Sequence, residues 1–347
     1  MVFFNNAYSE GCHQKILEKL SATNLEQTPG YGTDSYCSQA ADRIRRCCGR
    51  DDLDVHFLVG GTQTNLTVID GALRPHQAVL CPVSAHINVH ETGAVEATGH
   101  KVLAVASPDG KITAQQVRHV LTSHYGDPDA EHTAQPKMVY ISQPTELGTL
   151  YTLEELTALS GACKEFGMYL FLDGARLGYG LAASGNDVTL ADIARLCDVF
   201  YIGGTKMGAL FGEAVVFSNH MISQDFRYLM KQHGGMLAKG RLLGIQFGTL
   251  FEGDLYYQIG EYADRLADQI RDTLKCLGCP LLVEGTTNQI FPILPDAVLR
   301  ELRRNFVFNI QQRVDESHQA VRICTSWATT QENVAFLCAE LTRLMQK

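Results

Sequence analysis

Between residues 55 and 218, short apolar runs alternate regularly with segments of helical periodicity, and this alternation constrains the fold most. The apolar runs lie at 55–59, 78–82, 101–106, 137–142, 168–173, 199–203 and 214–218. Strands that are almost continuously apolar and separated by helices are typical of a mostly parallel sheet covered on both faces. The pattern therefore predicts an α/β fold.

After residue 218 the pattern becomes mainly helical up to about residue 275, and a smaller mixture of strands and helices follows. A chain of 347 residues suggests two domains, because a domain commonly holds about 100–200 residues. We predict an N-terminal arm over residues 1–14, a large α/β domain over 15–248 and a small α+β domain over 249–347.

Local signals predict individual elements. Thr152 and Glu155 form a capping box before a helix over 153–166, and Gly167 follows its end. Periodicity predicts a helix over 89–98 and a strand over 281–283, and the polar segment 123–135 is predicted to be a loop.

Composition argues against several classes of protein. The net charge of −9 disfavours a nucleic-acid-binding surface, and no run reaches the ~20 apolar residues of a membrane helix. The N-terminus lacks the basic and apolar regions of a secretory signal. Eleven cysteines, mostly in apolar runs, fit buried reduced thiols in a cytoplasmic protein. Their spacing predicts no metal site.

A glycine-rich turn follows the first of these strands. It reads Gly60-Gly61-Thr62-Gln63 and precedes a helix. Glycines allow a close approach to an anion, and a helix N-terminus offers free N–H groups. The turn therefore suits a phosphate, although a glycine-rich turn between a strand and a helix is, taken alone, more often a plain turn.

Three further side chains follow predicted strands, and each also has an ordinary structural interpretation. Asp173 could be a helix cap, Lys206 a loop lysine, and His86 a cap or packed core residue. In open α/β sheets, ligands bind at the carboxyl ends of the strands. A lysine nucleophile, an acid for a ring nitrogen and a phosphate anchor at one edge match the requirements of pyridoxal 5′-phosphate.

A series of motifs in a fixed order carries a family resemblance. They are Tyr31-Gly32-Thr33-Asp34, Gly61-Thr62-Gln63-Thr64-Asn65, Ser84-Ala85-His86-Ile87, Glu91-x-Gly93-Ala94, Asp173-Gly174-Ala175-Arg176, Lys206, Gly234-Gly235-Met236 and Val321-Arg322-Ile323-Cys324-Thr325. The chain resembles the low-specificity L-threonine aldolases of the β-eliminating lyase superfamily, which are pyridoxal-phosphate enzymes of the aspartate-aminotransferase fold (fold type I).

The resemblance implies roles for individual residues. Lys206 would bind the cofactor covalently, and Asp173 would pair with its ring nitrogen. His86 would stack on the ring and act in proton transfer, with His132 as a second catalytic histidine and His124 as its rival. The other implied residues hold the cofactor (Gly61, Thr62, Gln63 and Arg176) or the substrate (Arg322, Asn6 and Tyr31).

The resemblance implies retro-aldol cleavage of a β-hydroxy-α-amino acid, such as L-threonine or L-allo-threonine, to glycine and an aldehyde. It also implies a cytoplasmic homo-oligomer, a dimer or tetramer with shared active sites. The sequence departs from the family pattern at 5–8, 142–146, Met207 and Leu237, and these departures bear on the choice of substrate. Another pyridoxal-phosphate β-eliminating lyase or racemase is the alternative, and a cofactor-binding protein without catalysis is a third interpretation.

Overall fold

The computed structural model describes residues 1–346. Its strands are β1 (Val2–Phe3), β2 (Asp54–Leu58), β3 (Gln77–Pro82), β4 (Lys101–Val105), β5 (Gln135–Ser142), β6 (Tyr169–Asp173), β7 (Val199–Gly203), β8 (Glu213–Phe217), β9 (Gln289–Ile290), β10 (Ile293–Pro295), β11 (Phe306–Val307), β12 (Asn309–Arg313) and β13 (His318–Cys324).

The helices are α1 (Gln14–Ala22), α2 (Ser35–Cys48), α3 (Gly61–Ala72), α4 (His86–Val89), α5 (Ala94–Ala97), α6 (Ala114–Gly126), α7 (Leu153–Glu165), α8 (Leu177–Ala182), α9 (Leu190–Leu196), α10 (Phe226–Gln232), α11 (Arg241–Leu250), α12 (Leu255–Cys276), α13 (Asp296–Leu302) and α14 (Gln331–Met345). Short 3₁₀ turns lie at Ala130–His132 and Thr205–Met207.

The central sheet has the strand order β2-β8-β7-β6-β5-β3-β4. Strand β8 runs antiparallel to both of its neighbours, and the other pairs are parallel. Successive buried residues of β5 belong to different cores: Val139 and Ile141 pack on one face, and Met138 and Tyr140 on the other. The predicted α/β fold with a mostly parallel sheet is confirmed.

A third apolar core lies in the C-terminal part of the chain. Its members come from α12, α13, α14 and the small antiparallel sheet, in which β13 pairs with β9, β10 and β12. The N-terminus joins this part, because β1 pairs with β11 and Phe4 is buried in the third core.

The predicted boundary at 248/249 falls inside α11, and α12 contributes to both the first and the third core. The division into domains stays a prediction.

Helix α7 begins at the predicted capping box, and Gly167 beyond its end takes a left-handed φ of 63°. The predicted helix over 89–98 is wrong: α4 and α5 flank a break where Thr92 and Gly93 have positive φ angles. Helix α6 extends to Gly126, so only the later part of the predicted loop is irregular.

The segment 281–283 forms no strand. It contributes a single bridge between Leu281 and Pro292. Strand β12 was not predicted, because all five of its residues are exposed and mostly polar.

Two further findings concern the chain as a whole. No helix within residues 1–346 is long and apolar enough to cross a bilayer. All eleven cysteines are free thiols, and the described residues contain no cluster of histidine, cysteine and acidic side chains suited to a metal ion.

Asp264 of α12 is 4% exposed, and neither of its side-chain oxygens has a hydrogen-bond partner within residues 1–346. Burial, aided by the nearby Asp268, raises the pKa of Asp264 to about 9. The folded protein therefore keeps a proton there at pH 7 that the unfolded chain, with a pKa of about 3.9, releases. Because the folded state binds more protons, its stability falls as pH rises between these two values.

Asp264→Asn removes this dependence. We expect the variant to gain stability over the wild type as pH rises from 5 to 8, by up to about 1.4 kcal/mol per pH unit. Urea unfolding at several pH values measures the gain, with Asp272→Asn on the exposed side of the same helix as control. Stability curves for Asp264→Asn and wild type that stay parallel over this range would contradict the prediction.

Candidate active site

A cavity of about 310 Å³ opens at the edge of the central sheet where the parallel strands end. Its volume lies at the lower end of the range of small-molecule sites. Six of the residues predicted from the sequence line it: Gly61, Thr62, His86, Asp173, Arg176 and Lys206. The sheet assembles them, because β2, β6 and β7 all end at this edge and their following residues face the same space.

The glycine-rich turn leads from β2 into α3. Gly60 is the N-cap residue, and within residues 1–346 no side chain caps this end of the helix. The first N–H groups of a helix have no partner inside it, so those of Gly61 and Thr62 are free to bind an anion. The side chain of Gln63 acts differently: it accepts from the Val59 N–H at 3.1 Å and donates to the His233 carbonyl at 3.0 Å.

Asp173 is the last residue of β6 and is buried. Its Oδ2 accepts hydrogen bonds from the Tyr140 hydroxyl and, at 3.3 Å, from Asn65 Nδ2, and its Oδ1 accepts from the Ala175 N–H at 2.9 Å. Burial alone would raise the pKa of Asp173, but hydrogen bonds from Tyr140 and Tyr201 outweigh it, and the pKa lies below its ordinary value. The side chain is a buried carboxylate.

Gly174 allows this carboxylate to lie at the sheet edge. A Cβ atom there would come within 1.9 Å of the Tyr201 carbonyl oxygen on β7, so the Asp-Gly pair reflects close packing of neighbouring strands.

Lys206 lies in the 3₁₀ turn after β7. The Tyr179 hydroxyl donates to its carbonyl oxygen at 2.5 Å and fixes the backbone. Burial lowers the pKa of the Lys206 ammonium, and the positive charge of Arg176 lowers it further, while Asp173 and Glu213 act in the opposite direction. A lowered pKa leaves more of the neutral amine, which is the nucleophilic form.

His86 is the first residue of α4 and is held by two acids. Its Nδ1 lies 2.7 Å from Oε1 of the buried Glu91, which also accepts from Asn65 Nδ2 at 2.7 Å. The His86 N–H donates to Glu146 Oε1 at 3.0 Å. Because Asn65 contacts both Glu91 and Asp173, one network fixes the histidine and the strand-end carboxylate.

Arg322 and Asn6 belong to neighbouring segments. Arg322 Nη2 donates to the Asn5 carbonyl at 3.0 Å, and its charge acts on Lys206. Asn6 Oδ1 accepts from the Tyr8 N–H at 2.8 Å and from Ser9, so its side chain shapes the arm, and Tyr8 lines the cavity.

Five predicted site residues are not among those that line the cavity: Gln63, Asn6 and Arg322, described above, and His132 and Tyr31, which lie elsewhere in the chain. His132 lies in an exposed 3₁₀ turn before β5, whose eight residues, about 25 Å long, separate it from Ser142 at the cavity. Tyr31 lines a different cleft with Asp34 and Arg227. Any contribution of His132 or Tyr31 to catalysis would have to be made to a second copy of the chain.

Sequence reasoning missed several residues at the site. Tyr140 and Tyr201 donate hydrogen bonds to Asp173. Glu213, at the start of β8, lines the cavity. Burial lowers the pKa of His90, and the nearby charges of His86 and Arg322 lower it further. Glu213 carried a related signal, an acid at one terminus of an apolar strand, but it begins its strand whereas Asp173 ends one.

Comparison with known proteins identifies the family. The family model described as beta-eliminating lyase matches residues 8–320 of this chain. The chain belongs to the beta-eliminating lyase family. The match covers the whole central sheet and every residue that lines the cavity. Membership confirms that the protein is a lyase.

Within this family, the chain is similar to threonine aldolases over its whole length. The low-specificity L-threonine aldolase of a Pseudomonas species is 30% identical over 346 residues, covering 99% of this chain and 97% of the relative. A solved structure of Leishmania major threonine aldolase is 44% identical, covers 99% and 100% of the two chains and superimposes with a TM-score of 0.97. The resemblance to the threonine aldolases is thereby confirmed.

A Thermus thermophilus aspartate aminotransferase, 16% identical, covers 99% of this chain and 91% of its own with a TM-score of 0.73. This likeness confirms the aspartate-aminotransferase fold.

Proposed function

We propose that this beta-eliminating lyase uses pyridoxal 5′-phosphate to cleave a β-hydroxy-α-amino acid, L-threonine or L-allo-threonine, to glycine and an aldehyde. One observation carries the proposal: Lys206, the buried carboxylate of Asp173 and the uncapped N-terminus of α3 line a single cavity. The high identity to the Leishmania threonine aldolase over the whole chain supports the choice of reaction.

The residues present fit this cofactor. The N–H groups of Gly61 and Thr62 would hold its phosphate, and Asp173 would accept a hydrogen bond from its protonated ring nitrogen. Arg176 Nε is buried without a partner among residues 1–346, so it has a bond to offer an oxygen of a bound group. When bound, the cofactor supplies an aldehyde that condenses with amines and a ring that delocalises the electrons of a broken Cα bond.

Other residues of the chain would bind and orient the substrate. The guanidinium of Arg322 suits the α-carboxylate, because it can donate two parallel hydrogen bonds. His86 would accept the proton of the β-hydroxyl. Glu91 accepts from Nδ1, which leaves Nε2 as the free basic nitrogen.

His86→Asn should therefore lower kcat by about 10²–10⁴-fold, the usual contribution of a general base. His119→Asn, on the exposed face of α6, serves as the control and should leave kcat unchanged. Steady-state assays with L-threonine measure both. A His86→Asn variant with kcat within threefold of the wild type would remove His86 from this role.

The requirement for a β-hydroxyl group tests the reaction type. Protein loaded with pyridoxal 5′-phosphate should form glycine from L-threonine and L-allo-threonine but not from L-2-aminobutyrate, which lacks the hydroxyl. Loss of α-deuterium from L-2-aminobutyrate, without glycine from any of the three, would support a racemase or an eliminating lyase instead.

We also propose that the protein is a homo-oligomer, a dimer or tetramer with shared sites. Two exposed aromatic residues support this proposal. Tyr31 lies outside the cavity and is 47% exposed, and Tyr228, which is also exposed, lies a few residues before the Gly234–Gly235 segment. Analytical ultracentrifugation gives the mass in solution. The free cysteines support a reducing compartment such as the cytoplasm.

A further inference from the structure

Glu213 is a cavity residue that the steps above do not use. It begins β8 and pairs with Gly203 of β7 on one side and Leu58 of β2 on the other. It therefore lies between the turn that carries Lys206 and the glycine-rich turn that begins α3. Its side chain is 3% exposed and lines the same cavity as both turns.

The two carboxyl oxygens of Glu213 differ in their partners. Oε1 accepts from the Thr205 hydroxyl oxygen at 3.2 Å, and this hydroxyl oxygen in turn accepts from the Gly212 N–H at 3.0 Å. Oε2 is buried and has no partner within residues 1–346. Because a buried polar atom without a partner is destabilising, Oε2 is the atom that a bound group would satisfy.

The titratable groups that act on Glu213 come from four parts of the fold. Lys206 faces it from the turn after β7, Asp173 from β6, Tyr201 from β7 and Tyr256 from α12. Burial raises the pKa of Glu213 well above its ordinary value; the Lys206 charge lowers it, and the Asp173 charge raises it again. Arg176 and Arg322 act across the cavity on Lys206.

We propose that Glu213 belongs to the anion-binding turn as a neutral hydrogen-bond donor, with its Oε2–H directed to a phosphate oxygen held at the N-terminus of α3. This inference rests on the proposed function, which supplies the phosphate group. An ionised carboxylate at this position would repel the phosphate, whereas a protonated one adds a donor beside the N–H groups of Gly61 and Thr62.

A pH dependence follows from this role. Where Glu213 is ionised in the free protein, binding a phosphate transfers one proton from solvent to its Oε2, so affinity falls as pH rises. Glu213→Gln keeps a donor of the same shape but has no proton to gain. Its affinity should lack the part of the pH dependence that Glu213 contributes.

The test uses pyridoxine 5′-phosphate, which carries the phosphate but has no aldehyde to react with Lys206. Its Kd is measured by calorimetry from pH 6.5 to 9.5 with the cofactor-free full chain. Above the pKa of Glu213, the wild-type affinity should fall relative to Glu213→Gln by up to about tenfold per pH unit. Asp264→Asn replaces another buried carboxyl, which does not line the cavity, and should follow the wild type.

Glu213→Ala is a second variant for the case in which the glutamine variant does not fold. The affinity of Glu213→Ala for pyridoxine 5′-phosphate should depend on pH as weakly as that of Glu213→Gln. At pH 6.5 it should be about tenfold lower than that of the wild type, because a donor to a charged group is lost.

Two results would overturn the proposal. One is an identical pH dependence in the wild type and the Glu213 variants. The other is a tenfold loss of affinity in Glu213→Gln at pH 6.5, since that would show that the charge of Glu213 is needed. A wild type that binds neither pyridoxine 5′-phosphate nor pyridoxal 5′-phosphate would instead refute the proposed function itself.

Discussion

Replacing Lys206 by alanine is expected to lower turnover of L-threonine by at least about 10⁴-fold, because the variant has no amine to bond covalently to the cofactor. No other lysine lines the cavity within residues 1–346, so no neighbouring amine is placed to substitute. The visible absorption band of the lysine-bound cofactor should disappear together with turnover. The cofactor should still bind non-covalently, since the phosphate turn and Asp173 are unchanged.

Lys101→Ala is the matched control, because Lys101 is an exposed lysine at the far edge strand of the same sheet. Borohydride reduction followed by peptide mass analysis should label Lys206 in the wild type and in the control. Normal turnover by Lys206→Ala, or a label on another lysine, would contradict the assignment.

Arg322→Ala is expected to lower kcat/KM by about 10²–10³-fold, which is the cost of removing a charged, paired hydrogen-bond donor from a substrate carboxylate. Arg322→Lys should retain part of the activity, because an ammonium keeps the charge but cannot donate two parallel bonds. Arg322 Nη2 donates to the Asn5 carbonyl, which fixes the guanidinium, and Arg322 Nε has no partner within residues 1–346, so it has a bond to offer a carboxylate.

Kinetics with L-threonine separate this role from a structural one. A loss of carboxylate binding should raise KM in both variants, and the loss should be smaller for lysine than for alanine. Arg304→Ala, a surface residue paired with Glu301, is the control. Equal losses in both Arg322 variants, with KM unchanged, would mean that Arg322 supports the fold and does not bind substrate.

The inner strands of the central sheet could be predicted from the sequence because they are buried on both faces. Burial on both faces leaves an uninterrupted apolar run, and β7 was predicted to the residue. Strand β12 and the break between α4 and α5 could not be predicted in this way. The former is exposed and polar, and the latter depends on backbone angles at Thr92 and Gly93 that apolar periodicity does not encode.

The site was predictable where residues directly follow strands. Asp173 and Lys206 lie at the cavity because strand ends share one edge of a parallel sheet. His132 precedes its strand and therefore lies at the opposite edge. Gln63 follows β2 as predicted, but its side chain serves the backbone of Val59 and His233, a choice made by tertiary packing.

The measurement that tests the central claim most directly is identification of the product by proton NMR. Purified protein loaded with pyridoxal 5′-phosphate is incubated with L-threonine, and the spectrum is followed over time with Lys206→Ala as the blank. Retro-aldol cleavage predicts glycine and acetaldehyde in equal amounts. The formation of 2-oxobutyrate and ammonia without glycine would contradict the account and establish elimination as the reaction.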